Sequence, residues 1–227
     1  PTVGTGVLLA ELRAPAGDAN HDALVVLEET IGVVRIGVKL RRSSVGFAEF
    51  DAPRLPEPVA EAMETNRLAA ALGLAPSEIG FENHRPSSFS AGVPMAFVPV
   101  SSLSVIAQAR PMLQHWALAF APPGPSTAFL YCRESARATS SFHARMFAPA
   151  LGVPEDPATG AAAAAFAAVV LKYDDLPDGN HKKTIEQGFE MGRPSLIALE
   201  MNVAGRKLTN VRIGGHAVRV SEGVLEV

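Results

Sequence analysis

The residues best placed to do chemistry are Asp156, Thr159 and Gly160, in the run EDPATGA at positions 155–161. A carboxylate just ahead of a hydroxyl and a glycine, at the mouth of an alanine run, is a candidate proton carrier beside a candidate helix start. Pro157 suits a first helical turn, because its missing N–H would have no intrahelical partner there, and Asp156 directly before it is placed as a capping carboxylate. The first amides of a helix point outward and carry the positive end of its dipole, so the start of this helix suits an anionic ligand. The plainer reading of the same residues is a cap alone, stabilising by about 1 kcal/mol and taking no part in a reaction.

The element behind them is wholly apolar. Residues 161–171 read AAAAAFAAVVL, with no polar face, so a helix there must be enclosed on every side by lipid or by protein. Eleven residues followed by Lys172 are too few to span a bilayer, which leaves a buried core helix. A second greasy helix is predicted at residues 7–12, behind PTVG at 1–4 as the first lies behind PATG at 157–160. The shared Pro-x-x-Gly spacing suggests an internal repeat of one architectural unit, and it makes Thr2 and Gly4 candidate binding positions at a second helix entrance.

Around these helices the chain reads as short strands. Residues 23–29, 31–40, 45–50, 87–90, 94–100, 127–133, 141–147, 183–191, 195–203, 208–215 and 217–227 are rich in β-branched or alternating apolar residues. A polar helix is expected over 58–72, with shorter ones over 102–109 and 112–120, and residues 148–156 read as a loop. Strands closing round a central helix would bury it completely. The expected division is a first domain over 1–108 and a second over 109–227, the last strand returning to the first domain.

Composition narrows the function classes. The chain of 227 residues is 48% hydrophobic with net charge −3, so it carries no basic stripe for nucleic acid and no sign of disorder. No apolar run reaches membrane length and no signal peptide is evident, so a soluble, cytoplasmic protein is expected. Cys132, the single cysteine, excludes an internal disulfide framework and reads as a buried structural thiol. The histidines at 21, 84, 115, 143, 181 and 216 show no ligand spacing, so no metal is implied. His84 and His115 read as surface residues, and His143 and Arg145, two apart on a strand, face one side. Arg145 then supports its strand through an ion pair, and Glu186 and Arg193 pair across a turn bent at Gly188 and Gly192.

Several motifs together carry a family resemblance: PTVGTG at 1–6, SAGVP at 90–94, RMFAP at 145–149, GVPEDPATGA at 152–161, EQGFEMGRPS at 186–195 and IGGHAVRVSEGVL at 213–225. In order across the whole chain, they make the sequence resemble the phenazine biosynthesis PhzF-like family, within the diaminopimelate epimerase-like fold. The resemblance implies an α+β fold of two similar domains, each a β-barrel around one apolar helix, with the active site in the cleft between them. It further implies a homodimer, no cofactor, and acid/base proton transfer on a small carboxylated substrate. Asp156 matches the family's active-site aspartate, and Thr159, Gly160 and Ala161 match the helix-entry residues, although many relatives carry Ser where this chain has Ala161. In the family the Pro-Thr-x-Gly motif follows Gly-His and an upstream catalytic glutamate. The sequence starts at Pro1, so its first barrel reads as incomplete and the sequence as part of a longer protein. Cysteine-dependent racemases of the same broad fold need two thiols, and this chain has one. A catalytically inactive ligand-binding or structural homologue is the alternative to an isomerase.

Overall fold

Strands with an apolar residue at every other position need cover on one face, while strands apolar throughout need it on both. Both kinds occur in the computed structural model, which describes residues 1–14, 20–41, 44–59, 64–120 and 124–224. The chain divides into two compact units, one of residues 1–53 and 212–227 and one of residues 54–211.

In the first unit α1 (Thr2–Arg13) packs on three antiparallel strands, β1 (Asn20–Glu29), β2 (Gly32–Arg41) and β3 (Ser44–Asp51). The first pair is a tight hairpin in which Glu29 faces Gly32. Val25, Val34, Ile36, Val38 and Ala48 form the covered face and receive Val7 and Ala10 of the helix. Gly6 lets α1 lie close: a Cβ there would meet Ile36 at 2.7 Å. Only Gly6, Val7 and Ala10 of α1 are buried, and Leu12 is 65% exposed, so the described residues cover one side of this helix.

The second unit is built on a sheet in the order β4 (Glu57–Pro58), β5 (Ser87–Ser90), β6 (Pro94–Pro99), β7 (Ala128–Cys132), β8 (Phe142–Ala148), β10 (Gly179–Gln187), β11 (Ser195–Ala204) and the start of β12 (Lys207–Ala217). The pairs β6/β7 and β8/β10 are parallel. A short strand β9 (Val153–Asp156) pairs with β8. One face of the sheet carries α2 (Thr65–Leu72), α3 (Leu103–Gln108) and α4 (Leu113–Ala119), and the other carries α5 (Gly160–Tyr173). Successive residues of β7 therefore alternate between two cores. Ala128, Leu130 and Cys132 meet the small helices, and Phe129 and Tyr131 meet Phe166 of α5.

The apolar helix is enclosed as its composition requires: residues 162–170 are all buried. Phe166 sits among the rings of Phe97, Phe129, Tyr131 and Phe142 at centroid separations of 5.8, 5.6, 4.8 and 5.0 Å. Among the described residues no helix is long and apolar enough to cross a membrane.

Some local expectations give way to tertiary pairing. The helix expected over 58–72 is confined to Thr65–Leu72, because Glu57 and Pro58 pair with Ser90 and Phe89, while residues 60–63 lie outside the described ones. The supposed loop 148–156 contains β9, which pairs with β8 at Met146 and Ala148, beyond the stretch that β10 covers. The final strand ends at Ala217, and residues 218–224 take no regular structure although they alternate. The junction at 108/109 lies inside the second unit, where Arg110 and Met112 amides donate to the Leu72 and Ala71 carbonyls at 3.0 and 2.8 Å. From Arg212 to Ala217 β12 pairs with β3, and these residues belong to the first unit. Replacing Phe166 with alanine would leave a cavity ringed by aromatics; chemical denaturation is expected to show a loss of about 3–5 kcal/mol.

Candidate active site

The loop between β9 and α5 is held by a residue distant in sequence. Gln187, the last residue of β10, is fully buried, and both ends of its amide are used. Its Nε2 donates to the Asp156 carbonyl at 2.6 Å and to Thr159 Oγ1 at 3.0 Å, and its Oε1 accepts from the Thr159 amide at 3.2 Å. The Thr159 hydroxyl donates in turn to Asp156 Oδ2 at 2.5 Å. A buried amide left half-satisfied would be costly, so this saturated clamp fixes the Asp156 to Thr159 turn firmly.

These bonds change what the sequence suggests about the helix start. Asp156 is no cap and Pro157 no first helical residue: Asp156 ends β9, Thr159 is the N-cap, and α5 begins at Gly160. Because the Thr159 hydroxyl is turned to Asp156, it makes no capping bond. The amides of Gly160, Ala161 and Ala162 precede the first intrahelical bond, from Ala163 N to Thr159 O at 3.0 Å. Gly160 and Ala161 are exposed, whereas everything from Ala162 to Val170 is buried. A carboxylate and a set of backbone donors with no partner among the described residues thus stand side by side at the entrance of the buried helix.

Gly188 completes the clamp. Its φ is +80°, and a Cβ would lie 2.5 Å from the Arg193 carbonyl oxygen and 2.8 Å from that of Pro157. Only glycine permits both the turn and the close approach to the loop.

Behind the loop lies an ionic cluster. Arg145 grips Glu155 through Nε and Nη2 at 2.8 and 2.9 Å, and its Nη1 donates to the carbonyls of Ile106, Ala107 and Ala109, closing the C-terminal end of α3. The strand-supporting ion pair expected of Arg145 is therefore present. His143 bridges two carboxylates, Nδ1 to Glu186 at 2.7 Å and Nε2 to Glu190 at 2.9 Å. Glu186 also accepts from the amides of Ala136 and Arg137, so its partner is His143 rather than Arg193. Arg193 contributes its backbone instead, donating to Gly188 O at 2.9 Å. Burial works to lower the His143 pKa, but the hydrogen bonds to Glu190 and Glu186 more than offset it, leaving it above the ordinary value.

The remaining candidates lie on other elements. Thr2 and Gly4 lie in the first turn of α1, Thr2 partly buried and Gly4 exposed, and that helix also lacks a side-chain cap. Its Pro-x-x-Gly entrance is not equivalent to the other: Pro1 is the N-cap of α1, whereas Pro157 stands three residues before α5. Cys132 is buried among the small-helix core, and burial pushes its pKa up to about 12, as a structural thiol requires. His84 is fully buried, not a surface residue, joined to Tyr131 Oη and Asp174 Oδ1 at 3.0 Å each. Burial works to raise the Asp174 pKa, but hydrogen bonds from His84 and Arg133 hold it well below the carboxylate range. Gln187 was legible only as a letter in the EQG motif, with nothing local to mark it as the clamp. Among the described residues no group of three His, Cys, Asp or Glu is arranged to hold a metal ion.

A family model described as phenazine biosynthesis-like protein matches residues 1–223. An uncharacterized isomerase of Mesorhizobium japonicum is 48% identical over 233 residues, spanning 99% of this chain and 74% of that protein. The trans-2,3-dihydro-3-hydroxyanthranilate isomerase of Pseudomonas aeruginosa is 29% identical over 98% of this chain and 72% of its own length. Among solved structures, a PhzF-family protein of Bacillus anthracis shares the fold with a TM-score of 0.83 at 22% identity, covering 100% of this chain and 75% of its own. A hydroxyproline epimerase from Agrobacterium vitis aligns at 0.54 and 16% identity over 93% of this chain and 61% of its own. The α+β fold is thus similar to those of PhzF-family and hydroxyproline epimerase structures.

Two outcomes test the site's construction. Gly188→Ala is expected to displace the loop and lower stability by about 1–3 kcal/mol, read by chemical denaturation. Because the folded His143 pKa is raised, its contribution is complete below the unfolded value of about 6.5 and is lost as pH rises through the folded one. The stability advantage of the natural protein over Glu190→Gln should accordingly narrow from mildly acidic toward alkaline pH. An unchanged gap in urea titrations across that window would contradict the pairing.

Proposed function

We propose, from the premise that this chain belongs to the phenazine biosynthesis-like protein family, that it is an isomerase moving a proton on a small carboxylated substrate by acid/base catalysis. The observation that carries this reading is the pairing of Asp156 with the uncapped start of α5. The free amides at Gly160 and Ala161 suit the substrate's carboxylate, with the helix dipole adding roughly 0.3–1 kcal/mol, more where the site is partly buried. Asp156, oriented by the Thr159 hydroxyl, then either carries the proton or orients a polar group of the substrate. Neither role calls for a cofactor.

Two relatives support the substrate class. The Pseudomonas aeruginosa protein is named for a dihydro-hydroxyanthranilate, and the Agrobacterium vitis structure holds trans-4-hydroxy-L-proline. Both are small cyclic amino acids with a carboxylate. The family's fuller arrangement, a barrel around each apolar helix, a homodimer, and Thr2 and Gly4 as further substrate contacts, belongs to the same proposal. For α1 the support is its own uncapped entrance.

The test is solvent proton exchange. The protein is incubated in heavy water with trans-2,3-dihydro-3-hydroxyanthranilate, hydroxyproline and related cyclic amino acids, and deuterium uptake is followed by NMR. Asp156→Asn is expected to slow exchange by about 10²–10⁴-fold while substrate still binds. Thr159→Val, which releases the carboxylate, should give a smaller loss. Full exchange by Asp156→Asn would remove that residue from the chemistry, and saturable binding with no exchange by the natural protein would favour a ligand-binding homologue.

A further inference from the structure

The opposite end of α5 carries a concave site that the isomerase reading does not use. Within the second unit, the sheet around α5 ends at β4 on one side and at the start of β12 on the other. A cavity of about 510 Å³ lies between these ends, with Phe89, Ala168 and Leu171 among its apolar walls, Leu55 and Pro56 on the β4 side, and Leu208 on the β12 side. That volume is within the usual range for a small-molecule pocket. From Ala161 to Lys172 the helix rises roughly 16 Å, so the cavity and the candidate active site occupy opposite ends of one element.

The polar groups of this cavity are unequal in sign. Lys172, Arg206 and Lys207 line it against a single carboxylate, Asp175. Arg206 and Asp175 already pair at 3.2 Å, both largely exposed. The Lys172 ammonium has no carboxylate partner among the described residues; it lies 5.8 Å from the Phe89 ring centroid and 5.1 Å from that of Tyr173. Lys207 likewise makes no ion pair among the described residues. An aromatic wall under one unpaired cation, with a second on the same rim, matches a ligand with an apolar body and one anionic group.

The geometry points to a binding site for an amphipathic organic anion, an aryl or branched aliphatic carboxylate, at the C-terminal end of α5. Its apolar body lies against Phe89, Leu171 and Leu208, and its carboxylate meets Lys172 and Lys207. This site is independent of the isomerase reading, because none of its residues belongs to the Asp156 loop or to Gln187.

The experiment is calorimetric titration of the protein with 2-naphthoate, using 2-naphthylmethanol as the neutral counterpart and acetate as the bare anion. Saturable one-to-one binding of naphthoate is expected, with both comparison ligands weaker by about tenfold or more, since each charge-assisted contact is worth on that order. The double variant Lys172→Met, Lys207→Met keeps the apolar stems and should lose the preference for naphthoate over the alcohol. Leu55→Trp should weaken all binding by filling the mouth, whereas Asp156→Asn should leave it unchanged. Thermal unfolding of each variant verifies that the fold persists. Absence of saturable binding, equal binding of the alcohol, an unaltered preference in the folded double variant, or loss of binding in Asp156→Asn would each overturn the assignment.

Discussion

A helix without a polar face can exist in water only if something apolar covers its whole circumference, and residues 162–170 impose that condition on everything around them. Phe166 meets that requirement by meeting four rings, supplied by β6, β7 and β8. A sheet that covers such a helix must be apolar on that face, and a strand apolar on both faces, as β7 is, must be covered on the other as well. This accounts for the complete burial of β7 and β8 and for the layer of short helices α2 to α4 beyond them. Enclosure also decides where function can sit. Along its length the helix offers no access, so its ends are the places where backbone amides, carbonyls and flanking charges reach a ligand.

The two ends are chemically opposite. At the first, Thr159 withholds its hydroxyl from the helix and gives it to Asp156, leaving donors that an anion can occupy. At the second, Lys172 stands over aromatic faces beside a groove with apolar walls. The first end is also the more firmly held. Gln187 saturates the loop's polar groups, Gly188 allows the backbone of the 188–193 turn to press against Pro157, and Glu190 ties that turn to His143. In the proposed proton transfer, such preorganisation would set the carboxylate before a substrate arrives, so that little reorganisation is needed.

Much of this was legible before any coordinates. The alanine run declares a buried helix by composition alone, and strand alternation declares its covers; that the EQGFEMGRPS segment grips the EDPATG loop is seen only in the fold. Cys132 sits as its lone, apolar setting suggested, and Arg145 finds its ion pair. The two Pro-x-x-Gly motifs were less informative than their spacing implied, since they enter their helices at different offsets.

What sequence settled by itself is therefore the kind of element the long periodic segments form, because propensity and periodicity arise from residues within a few positions of one another, while short strands such as Glu57–Pro58 and Val153–Asp156 depended on pairing with other strands. What the tertiary structure decided is which polar group each side chain meets. Asp156 looks like a cap until Gln187, 31 residues away, takes hold of its carbonyl. His84 looks like a surface residue until Asp174, 90 residues away, claims its ring. Glu186 faces His143 across neighbouring strands instead of the nearby Arg193. Buried polar atoms must find partners wherever the packed chain provides them, and that choice is made among residues brought together by enclosing the helix.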